Sequence, residues 1–187
     1  MTWDFLVGKI EVDALPSGVA ELPLGQEEFA AFYSRAARPL WAYLARTSGD
    51  AALAEDLMQE SFVRFLCADR PDDGEVAARK YLFRIGSNLL KDHWRRPRQT
   101  SIEAVSEEHF AEEERSSETD ARMMLARALE DMRPRDRQIL WLAYAEDYTH
   151  REIAEITGLG SASVRLLLFR ARRKMAERLN PPAGRPA

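Results

Sequence analysis

The sequence predicts an all-α protein of two small helical domains joined by a flexible acidic linker, the second domain containing a helix-turn-helix. Three observations carry that expectation. Apolar residues recur at helical spacing through two long stretches, and an acidic, serine-containing segment poor in large apolar side chains separates them. No period-2 pattern interrupts those stretches, and the one weak alternation lies in Phe5 to Val12. The second stretch also holds a short helix, a tight glycine turn and a long basic helix in succession.

The expected layout is an N-terminal extension over 1–25 with no assignable role, a first domain over 26–98, the acidic linker over 99–118, a second domain over 119–180 and a Pro/Gly tail over 181–187. At 187 residues, with 45% hydrophobic and 31% charged residues, the chain has enough apolar surface to close a core in each domain.

In the first domain Phe29, Phe32, Tyr33, Ala36, Leu40 and Leu44 follow a helical stripe, with Pro39 expected to bend or restart that helix. Gly49 ends it, and Asp50 is the expected N-cap of the next. The second helix buries Leu53, Leu57, Phe62, Phe65 and Leu66, which leaves Asp56, Gln59 and Glu60 on another face. Spacing alone favours a merely solvated surface there.

The third helix, from about Glu75 to Arg96, offers Tyr81, Leu82, Ile85, Leu89 and Trp94 to the core. Its other side carries Arg79, Lys80, Arg84, Asn88, Lys91 and Arg95, with Tyr81, Phe83 and Trp94 at the borders. Bases interleaved with aromatics and an amide suit single-stranded DNA, because cations hold phosphates, rings stack unpaired bases and the amide reads a base edge. A basic surface helix with core aromatics is an equally open reading of the same pattern.

In the second domain Pro134 suits a first helical turn, and Ile139, Leu140, Leu142 and Ala143 form the apolar side that follows. Thr149 and Glu152 make a capping box for a short helix bearing Ile153, Ala154 and Ile156. Gly158-Leu159-Gly160 breaks it, and Ser161 or Ser163 is expected to cap the next helix. That helix buries Val164, Leu167, Leu168, Ala171 and Met175 and leaves Arg165, Arg170, Arg172, Arg173 and Lys174 outside. Such an arrangement is the pattern that enters a major groove.

Several classes are excluded at the sequence level. Cys67 is the single cysteine and His93, His109 and His150 are scattered, so no disulfide, metal site or cofactor is expected. No nucleophile, base and orienter come together, so no enzyme is expected. The N-terminus lacks a basic start and an apolar run, and no stretch approaches the length of a membrane span. A cytoplasmic protein without membrane insertion is expected.

A formal charge of -4 argues at first against a nucleic-acid binder. Resolved along the chain, it does not. Residues 1–28 hold one base and six acids, a net of −5, and residues 99–120 hold one base and eight acids, a net of −7. Residues 79–98 hold seven bases and one acid, a net of +6, and residues 161–178 hold six bases and one acid, a net of +5. Two basic helices alternate with two acidic segments, which is a signal about partners.

Taken together, roughly Glu27 to Leu179 resembles the extracytoplasmic-function (group IV) sigma factors of the sigma-70 family. Ala54-Glu55-Asp56-Leu57-Met58-Gln59-Glu60-Ser61-Phe62 is similar to that family's segment for the β′ clamp helices of RNA polymerase core. Tyr81 to Leu89, then Asp92 and Arg95-Arg96, resembles its −10-element helix; Arg133 to Gln138 and Tyr148 to Arg172 resemble its fourth region. The resemblance implies a factor that directs core polymerase to promoter DNA, melts a −10 element and recognises a −35 element.

It also implies roles for named residues. Asp56, Gln59 and Glu60 would contact the polymerase core, whose β′ clamp helices and β subunit are the implied partners. Arg79, Lys80, Arg84, Asn88, Lys91, Trp94 and Arg95 would hold −10 DNA, and the loop from Ala68 to Gly74 would capture a flipped base. Ser161, Ser163, Arg165, Leu166, Phe169, Arg170 and Arg173 would meet the −35 duplex. The acidic linker would thread a cleft built for RNA, and an anti-sigma factor would inhibit the chain. Leu166 and Phe169 depart from the more polar family pattern and fit thymine methyls, a partner protein or neither. A sigma-like decoy that binds a regulator and a plain helix-turn-helix repressor are the competing readings.

Overall fold

The computed structural model describes residues 25–68, 74–95 and 118–180. The N-terminal extension, most of the loop between Ala68 and Gly74, nearly all of the linker and the tail lie outside the described residues, as does the weak alternation of Phe5 to Val12.

Seven helices occupy the described residues: α1 (Gln26–Ser48), α2 (Ala51–Leu66), α3 (Gly74–Arg95), α4 (Glu118–Glu130), α5 (Pro134–Tyr144), α6 (His150–Thr157) and α7 (Ser161–Leu179). Local chemistry sets most of the boundaries. α1 stops at Gly49, which takes a left-handed φ of 79°. Asp50 then accepts a hydrogen bond from the Leu53 amide at 2.9 Å and starts α2. α1 runs through Pro39 without restarting. Pro134 sits in the first turn of α5, where its missing N–H costs nothing.

α1, α2 and α3 pack on one another, while α5, α6 and α7 form a second group that α4 joins through α7. The two groups also pack together, α1 on α5 and α3 on α6, so that one apolar core runs through both. Leu40, Leu44, Phe65, Leu82 and Leu90 are fully buried in the first group, and Ile139, Leu142, Ile153, Ile156 and Val164 in the second.

Gly86 marks the closest crossing in the first group. A β-carbon there would lie 3.2 Å from Leu40 Cδ1 and 3.4 Å from both Leu44 Cδ2 and Ser61 Oγ. Glycine at mid-helix gives up about 1 kcal/mol of helix propensity and lets α3 approach α1 and α2 closely.

Three details depart from the sequence reading. Phe83, expected at a border of α3, is fully buried, because α3 is covered from two sides: Tyr43 of α1 lies 5.3 Å from its ring and Tyr148 lies 5.8 Å from it. Trp94, offered both to the core and to a border, is 39% exposed near the end of α3 and so takes the border place. The N-cap of α7 is Gly160 with no side-chain cap, so neither Ser161 nor Ser163 plays that part.

Candidate nucleic-acid interface

On α3, Lys80, Arg84, Asn88, Lys91 and Arg95 fall within about 80° of arc at roughly 100° per residue, forming one straight stripe. Arg84, Asn88, Lys91 and Arg95 are exposed along it, and the half-exposed Trp94 flanks its C-terminal end. An unpaired strand laid along this stripe meets cations every turn, an amide at its middle and a ring at its end.

Arg79 points elsewhere. Its guanidinium sits over the Phe83 ring, 5.4 Å from the centroid, and pairs with Glu146 of the loop after α5. Lys80, at the first turn of the stripe, pairs with Glu155 of α6 at 3.0 Å.

The second candidate surface is the outer face of α7. Val164, Leu168 and Ala171 are buried, and the opposite side carries Leu166, Phe169, Arg170 and Arg173, with Arg165 and Ser163 beside them. Leu166 is 49% exposed and Phe169 58% exposed, so two apolar side chains stand among arginines in solvent. Ser161 is exposed at the first turn. Arg173 is partly engaged with Glu177 at 2.9 Å.

The capping box holds the short helix before α7 in register. Thr149 Oγ1 accepts from the Glu152 amide, and the Glu152 carboxylate accepts from the Thr149 amide at 2.9 Å and hydroxyl at 2.7 Å. These bonds hold the Glu152 carboxyl below the usual carboxylate range. Its contribution is therefore present above that range and lost as pH falls through the depressed value. Thr149→Ala should cost about 1 kcal/mol in urea denaturation, whereas Thr149→Ser should cost a few tenths at most. Equal losses in both variants would show that the cap contributes nothing.

A third surface lies on α2. Asp56 and Gln59 are exposed, and Glu60 is half-buried and paired with Arg64 at 2.6 Å. Gln59 donates to Glu55 at 3.1 Å. Val63, one turn beyond Gln59, is 54% exposed on the same face. The sequence reading passed over it, although its spacing of seven from Asp56 places it there. Carboxylates around an exposed valine make a mixed acidic and apolar patch, complementary in chemistry to a basic, partly apolar surface.

Polar residues join the two helical groups, and the sequence reading missed them as well. The Tyr43 hydroxyl meets Ser87 Oγ at 2.6 Å and accepts from Gln138 Nε2 at 2.7 Å. Burial pushes Tyr43 up to about 12 despite both bonds, and burial likewise raises Tyr148 to about 12. Burial also raises the Glu146 carboxyl, against the pull of Arg79 and of the Trp141 indole N–H that donates to it at 3.2 Å. Among the described residues, no three His, Cys, Asp or Glu side chains gather as a metal site requires, and no helix is long and apolar enough to cross a membrane.

Two family models match the chain. The family model of Sigma-70 region 2 matches residues 32–100, and that of Sigma-70, region 4 matches residues 122–175. The ECF RNA polymerase sigma factor SigL of Mycobacterium tuberculosis is 28% identical over 152 residues, 78% of this chain and 85% of the relative. The RNA polymerase sigma factor CarQ of Myxococcus xanthus is 26% identical over 157 residues, 82% of this chain and 90% of the relative. A solved complex of the sigma factor RpoE with the anti-sigma factor NepR from Bartonella quintana contains a chain that superposes with a TM-score of 0.67. The match has 20% identity and covers 83% of this chain and 99% of that one.

Proposed function

The chain belongs to the sigma-70 family as a factor of the extracytoplasmic-function type, and from that premise we propose how its surfaces divide the work of starting transcription. The α2 face docks on core RNA polymerase. The α3 stripe, with Arg84, Asn88 and Lys91 along it and Trp94 stacking at its end, holds the unpaired strand of a −10 element. α7 enters the major groove of a −35 element, where Arg165, Arg170 and Arg173 meet phosphates or guanines and Leu166 and Phe169 meet thymine methyls.

The observation that carries this reading is the presence, on one chain, of an exposed basic stripe for a single strand and a capped helix-turn-helix for a duplex. Two weak contacts on one tether act together because the second forms at high effective concentration. An anti-sigma protein as inhibitory partner fits the likeness to a chain solved with one. The sigma-like decoy is the second reading, and the two apolar side chains on the outer face of α7 are what favours it.

Core binding tests the first step. Asp56→Lys with Glu60→Lys should weaken the affinity for purified core enzyme at least about tenfold, the equivalent of about 1.4 kcal/mol, with unchanged helix content. Unchanged affinity would remove the α2 face from the mechanism.

A further inference from the structure

The outward side of α7 is apolar along the line where a helix in a groove meets bases. At roughly 100° per residue, Ala162, Leu166 and Phe169 share about 60° of arc opposite the buried Val164, Leu168 and Ala171. All three are exposed. Arg173 takes the next place on the same line and ends the apolar run after three positions. Arg165 and Arg170 stand about 70° to either side of the ridge. Both are exposed, and among the described residues neither is held in an ion pair.

Such a ridge is small for a protein partner and basic along both edges. Two large apolar side chains fall far short of the roughly 800 Å² that each member of a stable protein pair buries. Residues 161–178 carry six bases and one acid, a net of +5. A DNA duplex matches both features. Its phosphates border the major groove on either side and meet Arg165 and Arg170, so the ridge between them lies on base edges.

None of the three ridge side chains has a hydrogen-bond donor or acceptor. The thymine C5 methyl is the apolar group that bases present in the major groove, and alanine and phenylalanine are among the side chains that pack on it. A G·C pair under the same ridge loses water from its polar edges and gets no bond in return. Side chains three or four residues apart on a helix in the groove face successive base pairs. We infer that α7 reads about three successive base pairs that each carry a C5 methyl, one under each of Ala162, Leu166 and Phe169. This inference rests on the −35 reading proposed above and gives that element a chemical class. Thymine is bound, uracil is not its equal, and 5-methylcytosine is read as thymine.

Holoenzyme assembled from the full chain and purified core polymerase tests this with fully paired duplexes of about 20 base pairs, randomised at the centre. The retained sequences should share a run of about three A·T pairs. Deoxyuridine in place of each thymidine of that run removes the methyls and keeps every hydrogen-bonding group. Affinity should then fall about fourfold per methyl, the value of one buried methylene, and at least about tenfold for the run. Changing one T·A pair of the run to C·G should weaken binding, and 5-methylcytosine in that pair should recover about fourfold. Leu166→Ala with Phe169→Ala alters exposed positions and should spare the fold. It should shrink the deoxyuridine penalty to about fourfold or less, with the log–log salt slope unchanged because the arginines remain.

A deoxyuridine penalty undiminished in the double variant would overturn the inference, because it would come from the shape of the duplex and not from the ridge. Retained duplexes indifferent to deoxyuridine would overturn it as well, while the −35 reading stood and the ridge fell to a protein partner. Firm core binding with no sequence retained above the random pool would sink the −35 reading and the inference with it.

Discussion

Reversing both Arg84 and Lys91 to glutamate is expected to abolish promoter-specific transcription and to lower single-strand affinity by about a hundredfold or more, while leaving the fold intact. Both side chains are exposed in the middle of the α3 stripe, so the cost to stability should stay within about 0.5 kcal/mol. The affinity loss has two sources. Two phosphate contacts disappear, flattening the log–log salt slope by about 1.4, and two carboxylates now repel the strand. Core binding should be unaffected, because Asp56, Gln59 and Glu60 lie on α2. A double variant that still opens promoters would show that the stripe is not the strand-binding surface.

Replacing Phe83 by alanine should have the largest effect on stability. The ring is fully buried, lies 5.3 Å from Tyr43 and 5.8 Å from Tyr148, and carries the Arg79 guanidinium over its face. Removing it takes away core packing within the first half and the apolar centre of the contact between halves. The expected loss is about 3–5 kcal/mol, which for a chain of this length lowers Tm by about 6–20 °C. Leu166→Ala, at an exposed position on α7, should stay within about 0.5 kcal/mol and serves as the control. Calorimetric traces of the two variants that coincide would contradict a core shared by both helical groups.

How much of this was legible in the sequence depended on the range of the interaction. Local chemistry read true. The Asp50 cap, the left-handed stop at Gly49 and the Thr149–Glu152 box are each decided within four residues, and each stands in the structure. Gly86, a glycine at mid-helix, marks a tight crossing. The α7 cap failed for a local reason too: the chain enters that helix at Gly160, and no serine oxygen caps its free amides.

Long-range polar contacts were not legible. Tyr43 finds Ser87 at a separation of 44 residues and Gln138 at 95, and no periodicity encodes such a pairing. Hydrophobic spacing says that a helix has an inner face, but it does not say how many neighbours cover it. α3 is covered on two sides, which is why Phe83 was set at a border and proved to be buried. Charge counting had the same blind spot. The net +6 of residues 79–98 includes Arg79 and Lys80, both of which the fold pairs with carboxylates of the other half. The four exposed polar residues that follow on the stripe were placed correctly, because solvent exposure of a basic face is what spacing reports best.

The most direct test of the central claim is run-off transcription with purified core polymerase on a library of promoters. The account predicts discrete transcripts that require this chain, disappear with the Arg84 and Lys91 reversals, and weaken when the −35 element is removed. Firm core binding with no promoter-specific transcript anywhere in the library would contradict it and leave the chain a decoy for the polymerase or for a regulator.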